Sequence, residues 1–215
     1  MKKIILILVL AFSFCQFVFA DSRAEIQAGF ILDGDPEITF AGTSDDLDVD
    51  TGINLGAAYW MDGVGSPNLS LGLSWNHTMD ADYEESAAAT FLGVTLAASL
   101  LIEHDIDAFM VNAVYRNNSS KTKVHPYIGG GIGIASTDAD INLAVTVNGQ
   151  VLAAAAASDD DTSLAGQFMG GIDYEISENA YIGINATYFM TEAELFGADV
   201  DFDSFRVMAI LGITF

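Results

Sequence analysis

The chain has 215 residues, of which 51% are apolar, and its 30 acidic residues outnumber seven basic ones to give a formal net charge of −23. This charge excludes nucleic acid as a partner, because phosphate binding requires clustered Lys and Arg side chains. No clear helical membrane span follows the first twenty residues, despite the apolar content. Apolar residues at alternate positions of β-strands, with the charges in loops, reconcile these properties.

The N-terminus has the features of an export signal. Two lysines, a short apolar run and small residues before Asp21 predict a secretory signal peptide over residues 1–20. The one cysteine, Cys15, lies inside this segment, and Phe14 precedes it where a lipoprotein signal requires a small residue. Residues 21–215 are therefore predicted to form one domain without disulfides, lipid attachment or thiolate metal ligands.

Eight segments of the remaining chain alternate apolar and mixed residues with the period of two expected of a β-strand. In each, one face is apolar and the other mixes polar, small and large residues, as a membrane-crossing strand of about 9–11 residues requires. The predicted strands cover residues 25–32, 52–61, 69–78, 107–116, 126–134, 164–174, 181–190 and 202–215.

The connections between these strands alternate in kind. Three are short and rich in turn-forming residues, at 62–68, 117–124 and 176–180. Four are long and acidic, at 33–51, 79–106, 135–163 and 191–203. Short turns on the periplasmic side and long loops outside are typical of bacterial membrane barrels, and this separation was not used to choose the strands.

Two of the long loops contain uncharged, mostly apolar stretches. Residues 86–102 are bordered by acidic residues and fall short of the roughly twenty residues of a helical span, which remains the alternative there. Residues 141–157 contain Asn148-Gly149, which predicts a two-residue hairpin turn. We interpret this stretch as a hairpin that carries the fifth and sixth predicted strands beyond the membrane.

The hairpin turn conflicts with the facing of its two strands. The turn pairs Val145 with Leu152, so an odd-numbered residue of one strand shares a face with an even-numbered residue of the other. In the barrel wall, however, both strands are expected to turn their odd-numbered residues inward. One extra residue must be absorbed, so we predict a β-bulge in residues 136–140 or 157–161.

Two motifs carry a resemblance to a known family. The glycine-rich segment Pro126-Tyr-Ile-Gly-Gly-Gly-Ile-Gly places glycines on one face, and the last strand ends in an aromatic residue. Both resemble small bacterial outer-membrane β-barrels of the outer-membrane protein A type and the opacity-protein type. The resemblance implies an all-β fold, an eight-stranded antiparallel up-and-down transmembrane β-barrel, in the outer membrane of a Gram-negative cell. It also implies that the last strand is an assembly signal for the barrel-assembly machinery, through its outward face of Phe205, Val207, Leu211, Ile213 and Phe215.

An eight-stranded barrel is only just wide enough for side chains to fill. Inward-facing charges should therefore pair, because a buried charge without a partner costs several kcal/mol. At the periplasmic end, Arg116 is expected to take a carboxylate from the set Glu25, Asp173 and Glu175. At the outer end, Arg206 is expected beside Asp33. The alternative is that both arginines reach bulk water at the rims.

The remaining polar residues do not predict an active site. Acidic clusters at 45–50, 159–161 and 199–203 lack the glycine and glutamate of a calcium loop, so they form a solvated acidic face or bind divalent cations weakly. His77, His104 and His125 are not expected to converge, and no nucleophile–base pair is evident. We therefore expect neither enzyme activity nor a cofactor.

The resemblance implies a structural or surface-interaction role: membrane integrity, adhesion or recognition through the acidic outer loops. The implied partners are outer-membrane lipid and lipopolysaccharide. The alternative is a narrow transporter or channel for small hydrophobic molecules, which the apolar stretches 91–102 and 141–157 suggest.

Overall fold

The computed structural model describes residues 22–33, 37–40, 43–46, 52–118 and 122–215, without the side chains of residues 33, 37–40, 43–46 and 80–85. The predicted signal peptide lies outside these residues. The strands are β1 Ser22–Asp33, β2 Glu37–Phe40, β3 Thr43–Asp46, β4 Ile53–Met61, β5 Leu69–Phe91, β6 Val94–Arg116, β7 Val124–Val147, β8 Gln150–Ser177, β9 Ala180–Leu195, β10 Ala198–Asp201 and β11 Ser204–Thr214. The described residues contain no helix that is long and apolar enough to cross a membrane.

Eight of these strands close into a ring. Each of β4 to β9 pairs antiparallel with the next long strand of the chain, and β1 pairs with both β4 and β11. The ring closes where β11 pairs with β9, from Ser204 opposite Phe189 to Ile213 opposite Ala180. The predicted eight-stranded antiparallel up-and-down β-barrel is confirmed. Six of the eight predicted segments lie wholly within its strands, and segments 52–61 and 202–215 extend past β4 and β11 by one and three residues.

The barrel wall turns an apolar face outward. Outward residues such as Ile132 and Phe168 are 75% and 66% exposed, whereas their neighbours at inward positions are buried or half-buried. On β6 this apolar belt runs from Tyr115 to Phe109 and ends at Asp107, and the next two outward residues are Asp105 and Glu103. Lipid is the solvent that makes such a surface stable, so the belt marks the membrane-spanning part of the barrel.

Glycines on the inner wall make room for large aromatic residues. A Cβ at Gly72 would overlap the ring of Trp60, and one at Gly212 would overlap the ring of Tyr181. Trp60 and Tyr181 are both 2% exposed. The small radius of an eight-stranded barrel explains this pattern, since a large inward ring needs a neighbour without a side chain.

Four strands continue far beyond the membrane belt. The hairpins β5–β6 and β7–β8 stay paired up to their tips, with a register shift in β5 between Thr78 and Ala81. β6 pairs with β7 without a break from Arg116 opposite Tyr127 to Leu96 opposite Val147. We call the outermost part of these strands, residues 86–102 and 141–158, the distal sheet. The predicted hairpin at 141–157 is therefore confirmed as a continuation of two barrel strands. The connection predicted at 79–106 is also strand rather than loop, and the helical alternative for residues 86–102 is wrong.

The turn at Asn148-Gly149 is confirmed, with φ angles of 49° and 77° that fit a type I′ hairpin turn. The predicted bulge exists, but its predicted location is wrong. It lies beside the turn, between Val145 and Thr146, so Val145 pairs with Ala153 rather than with Leu152. A bulge beside the turn leaves all remaining pairs of β7 and β8 in a single register. A bulge nearer the membrane would divide the ladder into two registers.

A second, smaller sheet rises from the opposite side of the rim. The upper part of β9 pairs with β10, β10 pairs with β2, and β2 pairs with β3. The β9–β10 turn at Phe196-Gly197 is attached to β8 by side chains, because Asp159 accepts a hydrogen bond from Phe196 N at 2.6 Å and Asp161 accepts one from Glu194 N at 2.9 Å. Two of the predicted acidic-cluster residues therefore join the two sheets.

Candidate functional site

The periplasmic end of the lumen is closed by an ion-pair cluster, which we call the periplasmic plug: Arg23, Asp62, Arg116 and Asp173. Arg116 and Asp173 are each 1% exposed and form a direct ion pair. Arg23 donates from Nε to Asp62 Oδ2 at 2.5 Å, and its Nη1 lies 3.6 Å from the same Asp173 oxygen that contacts Arg116. The plug joins β1, β6, β8 and the segment after β4, so it ties strands from all sides of the barrel.

Aromatic rings complete this plug. The guanidinium carbon of Arg116 lies 4.4 Å from the centre of the Tyr127 ring and 5.8 Å from that of Trp60. Cation–π contacts of this kind stabilise a desolvated cation by about 2 kcal/mol. The predicted partner of Arg116 at the periplasmic end is thus Asp173 in the structure, and the alternative in which Arg116 reaches bulk water does not hold.

The other two carboxylates predicted to pair with Arg116 have different partners. Glu25 is buried, where it accepts hydrogen bonds from Tyr181 at 2.8 Å and from Gln27 at 2.6 Å, and it does not pair directly with Arg116. Glu175 differs from the prediction: its side chain is 52% exposed, and it lies 2.9 Å from His125 Nε2. Glu175 has the predicted inward register, but β8 has already reached the mouth of the barrel there.

Side-chain amides and hydroxyls fill the middle of the lumen. Asn112 donates to Ser74 at 2.9 Å and accepts from Gln167 at 2.6 Å, while Asn54 donates to Thr78 at 2.9 Å. A cavity among these residues has a volume of about 10 Å³. A space of this size holds about one water molecule. At this level the lumen is therefore occupied largely by packed polar side chains.

An apolar layer covers the outer end of the lumen. Leu195, Val200 and Phe202, on and beside the small sheet, form one buried cluster with residues of β6 and β7, including Ile106 and Ala139. We call this cluster the outer cap. It packs between the two sheets that rise from the rim, so the chain that follows β9 folds back over the lumen.

His104 is buried in the outer cap, with its ring 5.1 Å from that of Phe202. It lies above the membrane belt. Burial lowers the pKa of His104 to about 4, because the charged imidazolium loses its water. The ring is therefore neutral at physiological pH and behaves as part of the apolar layer.

Arg206 lies below the cap and is 2% exposed, so it does not reach bulk water. Its Nε donates to Ser204 at 2.9 Å, and its guanidinium carbon lies 3.9 Å from the centre of the Phe189 ring. The backbone of Asp33 is opposite Phe205, one residue away, but the side chain of Asp33 is outside the described residues. The predicted pairing of Arg206 with Asp33 therefore stays a prediction.

A polar cluster marks the outer edge of the lipid belt. Trp75 Nε1 donates to Asp107 Oδ1 at 2.9 Å, and His77 Nδ1 lies 3.1 Å from the same oxygen. Directly above, Asp138 lies between acidic neighbours, and its pKa is raised by partial burial and then by Asp160 and Asp107. No group of three or more His, Asp or Glu among the described residues is arranged to hold a metal ion.

Sequence reasoning missed two residues of the periplasmic plug, Arg23 and Asp62. Arg23 lies two residues before Glu25 and shares its inward face, so extending the strand alternation by one step would have found it. Asp62 likewise lies two residues after the inward Trp60. Both lie just outside the predicted strands, which begin at residue 25 and end at residue 61.

The predicted assembly-signal residues face outward on β11. Phe205, Leu211, Ile213 and Phe215 are between 39% and 62% exposed, and Val207 is half-buried. The backbone of Phe215 pairs with that of Ser22 through two hydrogen bonds of 2.9 and 3.0 Å. This pairing closes the barrel at its periplasmic end.

The family model of the outer membrane protein beta-barrel domain matches residues 4–211, and the chain belongs to this family. It is an integral protein of the Gram-negative outer membrane, and lipid surrounds its apolar belt. A comparison with curated protein sequences found no match.

Solved outer-membrane proteins have similar structures at low identity. Ail, the attachment invasion locus protein of Yersinia pestis, solved with the heparin analogue sucrose octasulfate, is 16% identical over 90% of this chain and 99% of its own, with a TM-score of 0.41. Neisserial surface protein A is 12% identical over 91% and 97%, with a TM-score of 0.47. OprG from Pseudomonas aeruginosa is 16% identical over 91% and 95%, with a TM-score of 0.49.

Proposed function

We propose that this protein has a structural and surface-interaction role, in which a closed barrel displays the distal sheet above the outer membrane. The observation that carries the proposal is the length of the four strands: β5 to β8 have 23 to 28 residues each, whereas about 9–11 suffice to cross the membrane. The excess forms an ordered sheet with a fixed position on the barrel. Such a sheet can present a surface to a partner without the entropic cost of ordering a flexible loop.

The filled lumen supports the same proposal. An ion-pair cluster closes one end and an apolar cap closes the other, and the side chains between them surround a cavity of about 10 Å³. A route for ions would need both ends to rearrange. We therefore expect no enzyme activity and no porin-like conduction.

Contact with lipopolysaccharide would occur at the outer edge of the belt. Trp75 and His77 there offer an aromatic platform, and the acidic residues around Asp138 face outward just above them. Carboxylates at this level would meet lipid phosphates through weakly bound divalent cations, as proposed for the acidic clusters as a whole.

Two measurements test the proposal. Purified protein in planar bilayers should show no steady porin-like conductance. Cells that display the full chain should bind a surface partner, and cells with both hairpins shortened to the level of His104 should lose that binding while keeping a folded barrel. Steady conductance by the wild-type protein, or binding that is unaffected by the shortening, would contradict the proposal.

Assembly is proposed to depend on the outward face of β11. Changing Phe215 to Asp should leave export intact but reduce insertion into the outer membrane, because a charge at this position breaks the regular apolar face. Heat-dependent mobility on a gel measures the inserted fraction. Thr214→Asp, on the inward face, is the matched control, and equal loss from both variants would contradict a specific signal.

A second candidate function is the transport of small hydrophobic molecules. It is favoured by one observation, which is that the inner face of residues 86–102 and 141–157 is apolar above the cap except for Gln150 at one tip. Uptake of a hydrophobic fluorescent probe into proteoliposomes would favour transport, especially if a disulfide across the cap stopped it. Uptake equal to that of protein-free vesicles would exclude it.

A further inference from the structure

The distal sheet has no charged residue, although the rest of the protein is strongly acidic. Residues 86–102 and 141–158 contain no Asp, Glu, Lys or Arg, while the whole chain has a net charge of −23. The strand register brings the two stretches together, with Leu100 opposite Leu143 and Leu143 opposite Ala155. The charge-free residues therefore form one continuous surface.

The two faces of this sheet differ in chemistry. Because β6 and β7 pair without a bulge, residues keep the facing that they have in the barrel wall. The inner face is apolar except for Gln150, which pairs with Val147 at the tip; its apolar residues are Ala87, Ala89, Phe91, Val94, Leu96, Ala98, Leu100, Ile102, Ile141, Leu143, Val145, Val147, Ala153, Ala155 and Ala157. Glu85, whose backbone pairs with that of Leu100, borders this face on β5. The outer face includes hydroxyl and amide groups, such as Thr90 and Thr95, whose hydroxyls are 2.9 Å apart.

The lower part of the same inner face is already covered. Leu195, Val200 and Phe202 pack on it up to the level of His104, Ala139 and Asp159. Above that level the face is open: Leu96 is 51% exposed and Leu143 is 43% exposed. Water contact over such an area is unfavourable, by about 25 cal/mol for each Å² of apolar surface.

We propose that the open inner face of the distal sheet binds the same face of a second copy of this chain, as two sheets packed face to face. This inference rests on the proposed surface-interaction role and names its partner. Four strands spaced about 4.8 Å apart and about 25 Å long give a flat face of roughly 480 Å². Two such faces bury about 1,000 Å², which is the lower size limit of a specific interface.

Charge explains why a second copy fits this face. Two copies of a chain with a net charge of −23 repel one another wherever their acidic surfaces approach. The distal sheet itself carries no carboxylate, and Glu85 lies at its lower border, so two copies that meet there keep most of their acidic residues apart. In an antiparallel arrangement, the hairpin tips of one distal sheet lie against the lower end of the other. Asp159 and Asp161 of the two copies are then at opposite ends of the interface.

This antiparallel arrangement is the one available to copies in two facing membranes. The distal sheet is the part of the described chain that extends furthest above the belt, so it is the first part that opposed membranes would bring together. One interface of this size is weak, but many copies on each membrane act together and raise the effective affinity by 10² to 10⁴, as an order-of-magnitude estimate for multivalent binding. The geometry therefore predicts that the protein joins membranes that both contain it.

The test uses two adjacent residues of β7 that face opposite ways. Full-length protein is folded into lipid vesicles, and vesicle clustering is followed by dynamic light scattering. Leu143→Glu places a carboxylate on the inner face, and Ala144→Glu places the same charge on the outer face. Wild type and Ala144→Glu should cluster the vesicles, and Leu143→Glu should reduce clustering by about 100-fold or more, because a buried carboxylate without a partner is strongly unfavourable. Heat-dependent gel mobility shows that both variants are folded.

A cross-linking measurement identifies the occupant of the face. The chain beyond the predicted signal peptide has no cysteine, so Val145→Cys provides one thiol on the inner face. Clustered vesicles should give a dimer with a short bismaleimide, and dispersed vesicles should leave the thiol open to a maleimide dye.

Three outcomes would overturn the proposal: no clustering by the wild type, equal loss of clustering in both glutamate variants, or protection of the thiol in dispersed vesicles, which would mean that lipid or another part of the chain covers the face. None of these outcomes depends on conductance or on binding of a different partner, so the proposed function can stand when this inference fails.

Discussion

The two ends of the lumen are closed by opposite kinds of chemistry. At the periplasmic end, charged residues from β1, β6, β8 and the segment after β4 meet inside the barrel wall, with Asp173 shared by two arginines. At the outer end, apolar residues that follow β9 fold over the inner face of β6 and β7 above the membrane. The plug therefore depends on the closed ring, whereas the cap depends on one local fold-back and can open while the barrel stays intact.

The largest effect is expected at the plug. Asp173→Ala should destabilise the folded barrel by about 3–5 kcal/mol, because it leaves two buried guanidinium groups with one fewer carboxylate. Arg116→Ala should cost less, since Arg23 remains beside Asp173. Urea unfolding in detergent micelles, followed by tryptophan fluorescence, measures the difference.

The paired variant serves as the control for the plug. Replacing Arg116 with Met and Asp173 with Leu together should recover most of the stability, because apolar residues of similar volume can replace a buried ion pair. The same variants test the closure of the lumen, as Arg116→Ala should also raise conductance. If Arg116→Ala changes neither stability nor conductance, the plug does not close the lumen.

A smaller and local effect is expected at the cap. Phe202→Ala removes a buried ring and should weaken the cap by about 3 kcal/mol, within the range for large-to-small changes in a core. Hydrogen exchange should then accelerate at β10 and the upper part of β9, while the exchange of β11 and β1 and the urea midpoint of the barrel stay as in the wild type. Equal acceleration in all strands would show that the cap and the barrel unfold as one unit.

The cap should also weaken in acid. The pKa of His104 is about 4 in the fold, below its value of about 6.5 in the unfolded chain, so protonation favours the open state. Neutral His104 contributes its full stabilisation of the closed cap above pH 6.5. This stabilisation is lost progressively as the pH falls from 6.5 to the folded-state pKa of about 4. Between pH 7 and pH 5 the loss is about 2 kcal/mol, measured by hydrogen exchange of β10.

His104→Leu separates this effect from other titrating groups. Asp138 has a raised pKa, so its protonation in acid stabilises the fold and opposes the effect of His104. The leucine variant should lose the acid-dependent opening but keep the contribution of Asp138. Opening of the variant at the same pH as the wild type would show that His104 is not the responsible group.

The sequence predicts the barrel better than it predicts what stands above it. In the membrane, lipid on one side and a narrow lumen on the other force a strict alternation, which identified all eight strands and the inward face of Arg116, Asp173 and Arg206. Above the membrane the alternation disappears, because residues such as Ala97 and Ala98 are small and uncharged on both faces. A strand whose two faces both consist largely of small, uncharged residues is hard to recognise by its period, so residues 86–102 are predicted as loop, whereas the turn signal Asn148-Gly149 predicts the hairpin at 141–157.

The hairpin turns show the same limit. Asn148-Gly149 is a favoured type I′ pair and was recognised, whereas Leu92-Gly93 and Phe196-Gly197 have the same geometry without that signature. The φ angles of Leu92 and Phe196 are 51° and 53°, a region that is unfavourable for large side chains. These two turns are imposed by the strands that they connect, so the local sequence alone does not predict them.

The smallest effect is expected when the first residues of two turns in the distal sheet are exchanged. Leu92→Asn should stabilise the β5–β6 hairpin by about 1 kcal/mol, because Asn tolerates a left-handed backbone that costs Leu 1–2 kcal/mol. Leu92 is 88% exposed, so the change loses little buried surface. Asn148→Leu should destabilise the β7–β8 hairpin by a similar amount, and it also removes the acceptor for the Thr95 backbone N–H at 2.8 Å.

Hydrogen exchange at the hairpin tips should change in opposite directions in the two variants, with the barrel unaffected. A change in the urea midpoint of the barrel would instead mean that the distal sheet and the barrel form one cooperative unit, and the distinction between a global plug and local outer elements would not hold.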